Sequence, residues 1–127
     1  VVWLQFLLDH WPSKLDDELV RQLYPEILKR LDDSSDEVRQ FSCLCLRSFL
    51  AASDPSYVRG TTLEYMLDQL FVHLDDKDST IQDAVEAVIV DAISIDAALV
   101  ARKAQQYRTS HRSPARCDRI LAQTPST

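Results

Sequence analysis

The chain has 127 residues, of which 46% are hydrophobic, one is Gly and five are Pro. That length supports one domain with a real core, and so few turn residues argue against a β-rich fold and against disorder. The formal net charge of −6 at pH 7 disfavours nucleic acid and anionic membrane as partners, and no run of about 18 apolar residues predicts a membrane-spanning segment.

The first predicted element is a helix over 1–11, with Trp3 and Trp11 at helical spacing. Because the sequence begins without Met inside this helix, we expect a piece cut from a longer protein. A shift of 43 residues places Trp3 on Leu46, so 1–11 is predicted to be the second helix of a truncated preceding repeat. The two Trp residues then complete a cut repeat interface, the interpretation we favour, or form a binding patch.

Two helices joined by an acidic turn are predicted next. The first ends near Asp32 and contains Pro25, which predicts a kink because proline removes one backbone hydrogen bond. The second ends near Ala52. Ser34, Ser35 and Asp36 are its candidate N-caps, and Ser34 with Glu37 fits a capping box at its start. The apolar stripes of the two helices are Leu19, Leu23, Ile27, Leu28 and Leu31, then Val38, Phe41, Ser42, Cys45, Leu46 and Phe49.

A second pair of helices follows a loop predicted over 53–60. Thr61 or Thr62 is expected to cap its first helix, which ends at Leu74. Ser79 with Gln82 fits a capping box for its second helix. The expected core residues are Leu63, Met66, Leu67, Leu70, Phe71 and Leu74, then Ile81, Ala84, Val85, Val88, Ile89, Ala92 and Ile93.

The C-terminal part is predicted to add a third, more polar pair. Asp96 can cap a helix through Tyr107. Ser113-Pro114 predicts a cap followed by proline at the first helical position of a short helix that ends near Gln123. A polar outer face is what a terminal capping pair needs.

The acidic turn is repeated along the chain. Leu31-Asp32-Asp33 recurs as Leu74-Asp75-Asp76, an offset of 43 residues, within the roughly 40–47 expected of HEAT or armadillo repeats. The first copy resembles the HEAT family in detail, on Pro25, Ile27, Leu28, Leu31, Asp32, Asp36, Val38, Arg39, Ser42, Cys45, Leu46 and Phe49.

This resemblance implies an all-α fold, an α-solenoid described as a HEAT/armadillo-like superhelix of antiparallel helix pairs. It divides the chain into the preceding helix 1–11, HEAT repeats over 13–53 and 61–95, a C-terminal capping helix pair over 96–123, and a frayed tail, 124–127.

The second repeat departs from the family pattern. Asp68 stands at the position of the proline, and Gln82 stands at that of the arginine. In the family, an Asp and an Arg commonly form a ladder of pairs between neighbouring repeats. Asp36 and Arg39 match those two positions, whereas Ser79 and Gln82 are expected not to extend the ladder as charges.

At a finer level, residues 23–33, 70–76, 81–84 and 112–118 resemble HEAT-repeat assembly factors of axonemal dynein arms. The resemblance implies a cytoplasmic scaffold that helps to pre-assemble dynein arms for ciliary motility, with dynein arm subunits or co-assembly factors as partners. The alternative is a HEAT-type protein-interaction module of a transport, phosphatase-scaffold or tubulin-binding protein. The acidic turns argue against tubulin, whose surface is also acidic.

The sequence predicts no enzyme, no cofactor and no metal site. Cys43 and Cys45 point about 200° apart on a helix, so they cannot both bind one metal; Cys45 fits a buried position, while Cys43 is expected to be more exposed or at a repeat interface. His10, His73 and His111 are scattered and are expected at the surface or rim. Three cysteines do not make a disulfide framework, so a reducing compartment, the cytoplasm or the nucleus, is expected, and the cytoplasm is the location that we predict.

The candidate partner-binding residues are the four acids of the two turns, Asp32, Asp33, Asp75 and Asp76. Turn and cap chemistry explains acidic residues of this kind more simply than calcium binding, because neither turn has the Gly bend of an EF-hand loop. Stacked turns still create an acidic edge. Either this edge or the concave face made by the second helices is expected to contact basic or helical partner segments. The basic stretch 102–119 either binds an acidic surface or balances the acidic body.

Overall fold

A computed structural model of the chain describes residues 17–111 and 114–124, apart from the side chains of Asp17 and Leu19. The predictions made for 1–11, His10, the Leu19 side chain, Ser113 and 125–127 therefore lie outside the described residues. The helices are α1 (Asp17–Lys29), a 3-10 turn (Arg30–Asp32), α2 (Asp36–Ala52), α3 (Pro55–Val58), α4 (Thr61–Leu74), α5 (Ser79–Arg108) and α6 (Ala115–Gln123). Within the described part of the chain there is no β-strand.

Helix α1 runs through Pro25 without a break and then tightens into the 3-10 turn. Its continuation is explained by the apolar face, since Val20 before the proline and Ile27 after it are fully buried and Leu31 is 1% exposed. Burial on both sides of the proline offsets the one backbone hydrogen bond that it removes. The hydroxyl of buried Ser42 on α2 donates to the Ile27 carbonyl at 2.8 Å and joins the two helices.

The acidic turns have the same local structure, but the predicted capping boxes are wrong. The N-cap of α2 is Ser35, one of its three candidate caps, so only the box from Ser34 fails, and that of α5 is Asp78, not Ser79. Each cap amide donates to the aspartate two residues earlier, which is Asp33 at 2.8 Å or Asp76 at 2.9 Å. This aspartate fixes the turn, so the residue two positions later, Ser35 or Asp78, is placed to cap the helix with its side chain.

The connection between the pairs is not the plain loop predicted over 53–60. It contains the short helix α3, which has Asp54 as N-cap and Pro55 at its first position. Gly60, and not Thr61 or Thr62, is the N-cap of α4; it has φ 89° and ψ −136°. Positive φ is a region that glycine adopts without a steric penalty, so the backbone turn, and not a hydroxyl, sets the start of α4.

Helix α5 is bent at Asp96, the residue with non-helical φ and ψ inside it. The Asp96 carboxylate accepts the Leu99 amide at 3.1 Å, as the sequence predicts for a cap. We refer to residues 79–95 as α5N and to residues 97–108 as α5C.

The helices stack as two rows. One row is α1, α4 and α5C, with Tyr24 against Tyr65 (6.3 Å between ring centroids) and Phe71 stacked on Tyr107 (5.4 Å). The other row is α2, α5N and α6, and ion pairs connect its neighbours. This arrangement confirms the predicted all-α solenoid, while the division into individual repeats stays a prediction.

The core runs continuously between the two rows. All six apolar residues predicted for α4 are buried, as are Ile81, Val85, Val88, Ile89 and Ala92 of α5N. The third pair contributes Leu99, Val100, Ala104, Cys117 and Ile120. Among the described helices, none is both long and apolar enough to cross a membrane.

Candidate protein-interaction surfaces

The two acidic turns lie side by side on one edge of the molecule. Arg39 Nη2 contacts Asp76 Oδ2, which joins α2 to the second turn. His73 Nε2 lies 3.1 Å from Asp32 Oδ1 and joins the end of α4 to the first turn. The four predicted partner-binding acids are therefore brought to one edge, as expected.

These acids differ in how far they face the solvent. The side chain of Asp32 is 72% exposed, whereas that of Asp76 is 21% exposed. Burial alone would raise the pKa of Asp76, but hydrogen bonds from the Asp78 amide and Arg39 hold it below its ordinary value. Asp33 and Asp75 are half-buried, and Asp33 accepts the Ser35 amide. Asp76 and Asp33 thus support the turns, and Asp32 is the acid most available to a partner; binding by the four acids stays a prediction.

The inter-repeat ladder continues past the first repeat, by a route that the sequence did not predict. Arg39 pairs with Asp36 at 3.2 Å and also reaches Asp76. At the equivalent position of the next repeat, the Gln82 amide donates to the Asp76 carbonyl, and its oxygen accepts from Arg116 Nε at 3.1 Å. An uncharged amide therefore extends the ladder to α6 because it can donate and accept at once.

Three basic side chains of the stretch 102–119, those of Lys103, Arg116 and Arg119, pair with acids of α4 and α5N. Lys103 is 6% exposed, and its ammonium lies 2.9 Å from Asp68 and 3.2 Å from Glu64. Burial would lower the pKa of Lys103, but hydrogen bonds to these two carboxylates raise it. Tyr107 also donates to Asp68, at 2.8 Å. These contacts favour charge balance over an acidic partner as the role of this stretch.

A groove of about 700 Å³ lies between the second helices α2 and α5N. Its walls are mostly small or apolar, and Leu44 is 50% exposed there. Arg47 Nε lies 2.7 Å from Asp91 Oδ2, so an ion pair crosses the groove. The groove residues are Leu44, Arg47, Ser48, Leu50, Ala51, Val90, Asp91 and Ser94. A concave face was expected from the sequence, but these residues were not identified. The sequence feature that could have indicated the groove is Leu44, an apolar residue outside the buried stripe of α2.

The three cysteines are buried and free. Burial raises the pKa of Cys43 to about 12 and those of Cys45 and Cys117 to about 11, so few thiolates form near neutral pH. Cys43 is 2% exposed and lies between α2 and α5N, which makes the repeat-interface alternative the right one of the two offered by the sequence.

The described histidines are partly buried. The His73 side chain is 14% exposed against Asp32, and His111 Nδ1 lies 3.5 Å from Cys117 Sγ. Both positions fit the rim expected from the sequence more closely than an open surface. Within residues 17–111 and 114–124, no group of three or more His, Cys, Asp or Glu could hold a metal ion.

The HEAT-repeat family model matches residues 23–53, which comprise most of α1, the first acidic turn and α2. Residues 23–53 are thus similar to a HEAT repeat. The match ends before the second helix pair, α4 and α5N. In that pair Asp68 stands at the position of the family's proline and Gln82 at that of its arginine. In the structure both replacements bind the third pair, Asp68 through Lys103 and Gln82 through Arg116. The departure from the HEAT pattern therefore coincides with the docking of the last helices.

Three curated relatives carry the name dynein axonemal assembly factor 5. The chain is 36% identical to the Xenopus laevis protein over 118 residues, 34% to the Homo sapiens protein over 110 and 31% to the Mus musculus protein over 121. These alignments cover 91%, 84% and 93% of the chain. The chain spans only 13–14% of the length of these relatives. No solved structure matches the chain.

Proposed function

We propose that the chain is a non-catalytic HEAT-repeat scaffold that acts in the assembly of axonemal dynein arms. The observation that carries the proposal is the similarity to dynein axonemal assembly factor 5 along nearly the whole chain, 91% of it for the Xenopus laevis relative. The stacked helix pairs support a binding role, because a solenoid offers extended surfaces on fixed helices. The partners in this proposal are dynein arm subunits or other assembly factors.

We also propose that this work takes place in the cytoplasm, before the arms reach the cilium. The three buried thiols support a reducing compartment, because free cysteines are typical of the cytosol and nucleus. Fractionation of ciliated cells tests this point. Recovery of the parent protein with axonemes, and not with cytosolic dynein subunits, would contradict it.

A segment exchange tests the function itself. In the full-length Xenopus laevis relative, the matching segment is replaced by this chain, and the chimera is expressed in ciliated cells that lack their own factor. Dynein arms are expected in the cilia, and their subunits are expected in affinity capture of the chimera. A chimera that accumulates normally without restoring arms or capturing subunits contradicts the proposal.

Variants of the two surfaces identify the binding face. Leu44→Glu puts a charge into the groove between α2 and α5N, so subunit capture is expected to fall if the groove binds an apolar segment. Asp32→Asn removes the exposed acid of the turns without touching the ladder. Val72→Ser is the matched control, since Val72 is 58% exposed on α4. If the Asp32→Asn variant captures the subunits as well as the unchanged chain does at low salt, the acidic edge does not bind them through its charge.

A further inference from the structure

The last helix differs from the others in how it is held. Helix α6 packs mainly on α5 and contributes two fully buried side chains, Cys117 and Ile120. Helix α4, by comparison, contributes six buried apolar side chains. Because hydrophobic stabilisation scales with the apolar area buried, α6 has a much smaller share of it than the central helices.

Ion pairs between α6 and α5N provide further contacts that hold α6 in place. Arg116 Nη1 lies 2.8 Å from Asp83 Oδ1 and 3.4 Å from Glu86 Oε1. Arg119 Nη2 lies 2.8 Å from the same Glu86 oxygen. The side chains of Asp83 and Arg119 are 71% and 57% exposed, and ion pairs this exposed are weakened by salt.

A further ion pair joins α6 to the end of α5C, where Arg108 Nε lies 2.9 Å from Asp118 Oδ1. Both side chains are about half exposed, at 44% and 50%. The attachment of α6 therefore combines one partly buried ion pair, Arg116 with Glu86 at 18% and 19% exposed, with ion pairs in which at least one partner faces the solvent.

We propose that α6 is a charge-held element that detaches from α5 as a unit while α1 to α5 stay folded. Helix α6 packs mainly on α5, whereas the central helices pack on several neighbours, so α6 opens at a lower free energy than they do. Detachment uncovers the apolar surface beneath Cys117 and Ile120 together with the acceptors Gln82, Asp83 and Glu86. Salt, or an anion that competes for Arg116 and Arg119, shifts α6 toward the detached state.

The chain contains its own reporters for this opening. Cys117 is fully buried on α6, at its contact with α5, whereas Cys43 and Cys45 are buried on α2. A thiol reagent such as N-ethylmaleimide labels a buried thiol only after the local structure opens. Labelling each cysteine in the native full chain, with the sites read by mass spectrometry, separates release of α6 from global unfolding.

Cys117 is expected to label about tenfold or more faster than Cys43 and Cys45 under native conditions. Raising NaCl from about 0.05 M to about 0.5 M is expected to speed labelling of Cys117 severalfold and to leave Cys43 and Cys45 unchanged. The double substitution Arg116→Gln and Arg119→Gln is expected to speed Cys117 alone by about tenfold. Arg102→Gln, which removes an exposed cation from α5C, is the control and is expected to change no rate.

Two outcomes overturn the proposal. One common labelling rate for all three cysteines shows that α6 opens only when the whole chain unfolds. A Cys117 rate that responds neither to salt nor to the double substitution shows that the arginines do not hold α6. Amide hydrogen exchange of 115–123 in the same variants reports the same opening without depending on thiol chemistry.

Discussion

Asp76 carries several structural contacts in the second acidic turn. Its carboxylate accepts the Asp78 amide and meets Arg39, and its carbonyl accepts the Gln82 amide. Arg39 is only 14% exposed, so removing the charge of its partner leaves a guanidinium poorly compensated. The residue that looked from the sequence like a surface acid is therefore part of the ladder between repeats.

Asp76→Asn is expected to lower the free energy of unfolding at neutral pH by about 1–3 kcal/mol, since it removes a partly buried charge pair. The pKa of Asp76 is lowered by folding from 3.8, so its contribution is complete above that pH and is lost as the pH falls through the folded-state value. Urea unfolding of both proteins is therefore expected to give a difference at neutral pH that shrinks in acid.

Asp32→Asn is the matched control for this measurement. Because the Asp32 side chain is 72% exposed, its substitution is expected to change the free energy of unfolding by less than about 0.5 kcal/mol. Equal destabilisation by the two substitutions would show that Asp76 is no more a structural residue than Asp32.

The contacts of Gln82 and Asp68 show where sequence reasoning stops at this scale. Both residues were recognised as departures from the HEAT pattern, but their partners Arg116 and Lys103 lie 34 and 35 positions along the chain. A pattern that repeats every 43 residues indicates equivalent positions, not which side chains meet across an interface. Burial at these sites was equally hidden, because Lys103 is charged and yet 6% exposed.

Helix existence was predictable, whereas helix ends were less so. The apolar stripes of α4 and α5N follow the helical period. All six residues indicated in α4 are buried, whereas in α5N Ala84 and Ile93 are only partly buried and Ile95, which was not indicated, is buried. Ser35 and Asp96 were among the predicted caps, whereas the caps of α4 and α5N were missed by one or two residues because several Ser, Thr and Asp stand together near these starts. Local hydrogen bonds, such as that from the Ser35 amide to Asp33, decide among them.

Gly60 tests the start of α4, where the sequence pointed to a threonine cap. Gly60→Ala is expected to destabilise the chain by about 1–2 kcal/mol, because an L-residue is strained at positive φ. A Cβ at this position meets nothing within 4 Å, so the cost arises from the backbone alone. Thermal unfolding followed by circular dichroism measures it.

Thr61→Ala is the companion variant. No side-chain hydrogen bond caps α4, so loss of this hydroxyl is expected to change stability by less than about 0.5 kcal/mol. A larger loss in Thr61→Ala than in Gly60→Ala would restore the threonine cap that the sequence suggested.

The solenoid as a whole depends on the shared core between its two rows. Leu31→Arg places a charge at a position that is 1% exposed, and burying an unpaired charge costs more than a small domain can offset. The variant is expected to lose its cooperative thermal transition. Val72→Arg adds the same group at a site that is 58% exposed, so a native-like melt is expected.

A cooperative melt for Leu31→Arg, at a temperature close to that of the unchanged chain, would contradict the helix register described above. At this scale the sequence was most informative, because the 43-residue offset and the two stripes already specified paired helices. The groove between α2 and α5N could not be predicted from the sequence, because its existence depends on the distance between two packed helices.

The bend at Asp96 has a mechanical consequence. A single residue separates α5N from α5C, so no spare backbone is available to absorb relative rotation of the second and third pairs. Any torque applied to the last pair passes directly into the pair before it. Lengthening the chain directly after Asp96 with a short Gly-Ser insert should uncouple these motions, whereas the same insert beside Ser110, in the exposed turn before α6, should leave them transmitted.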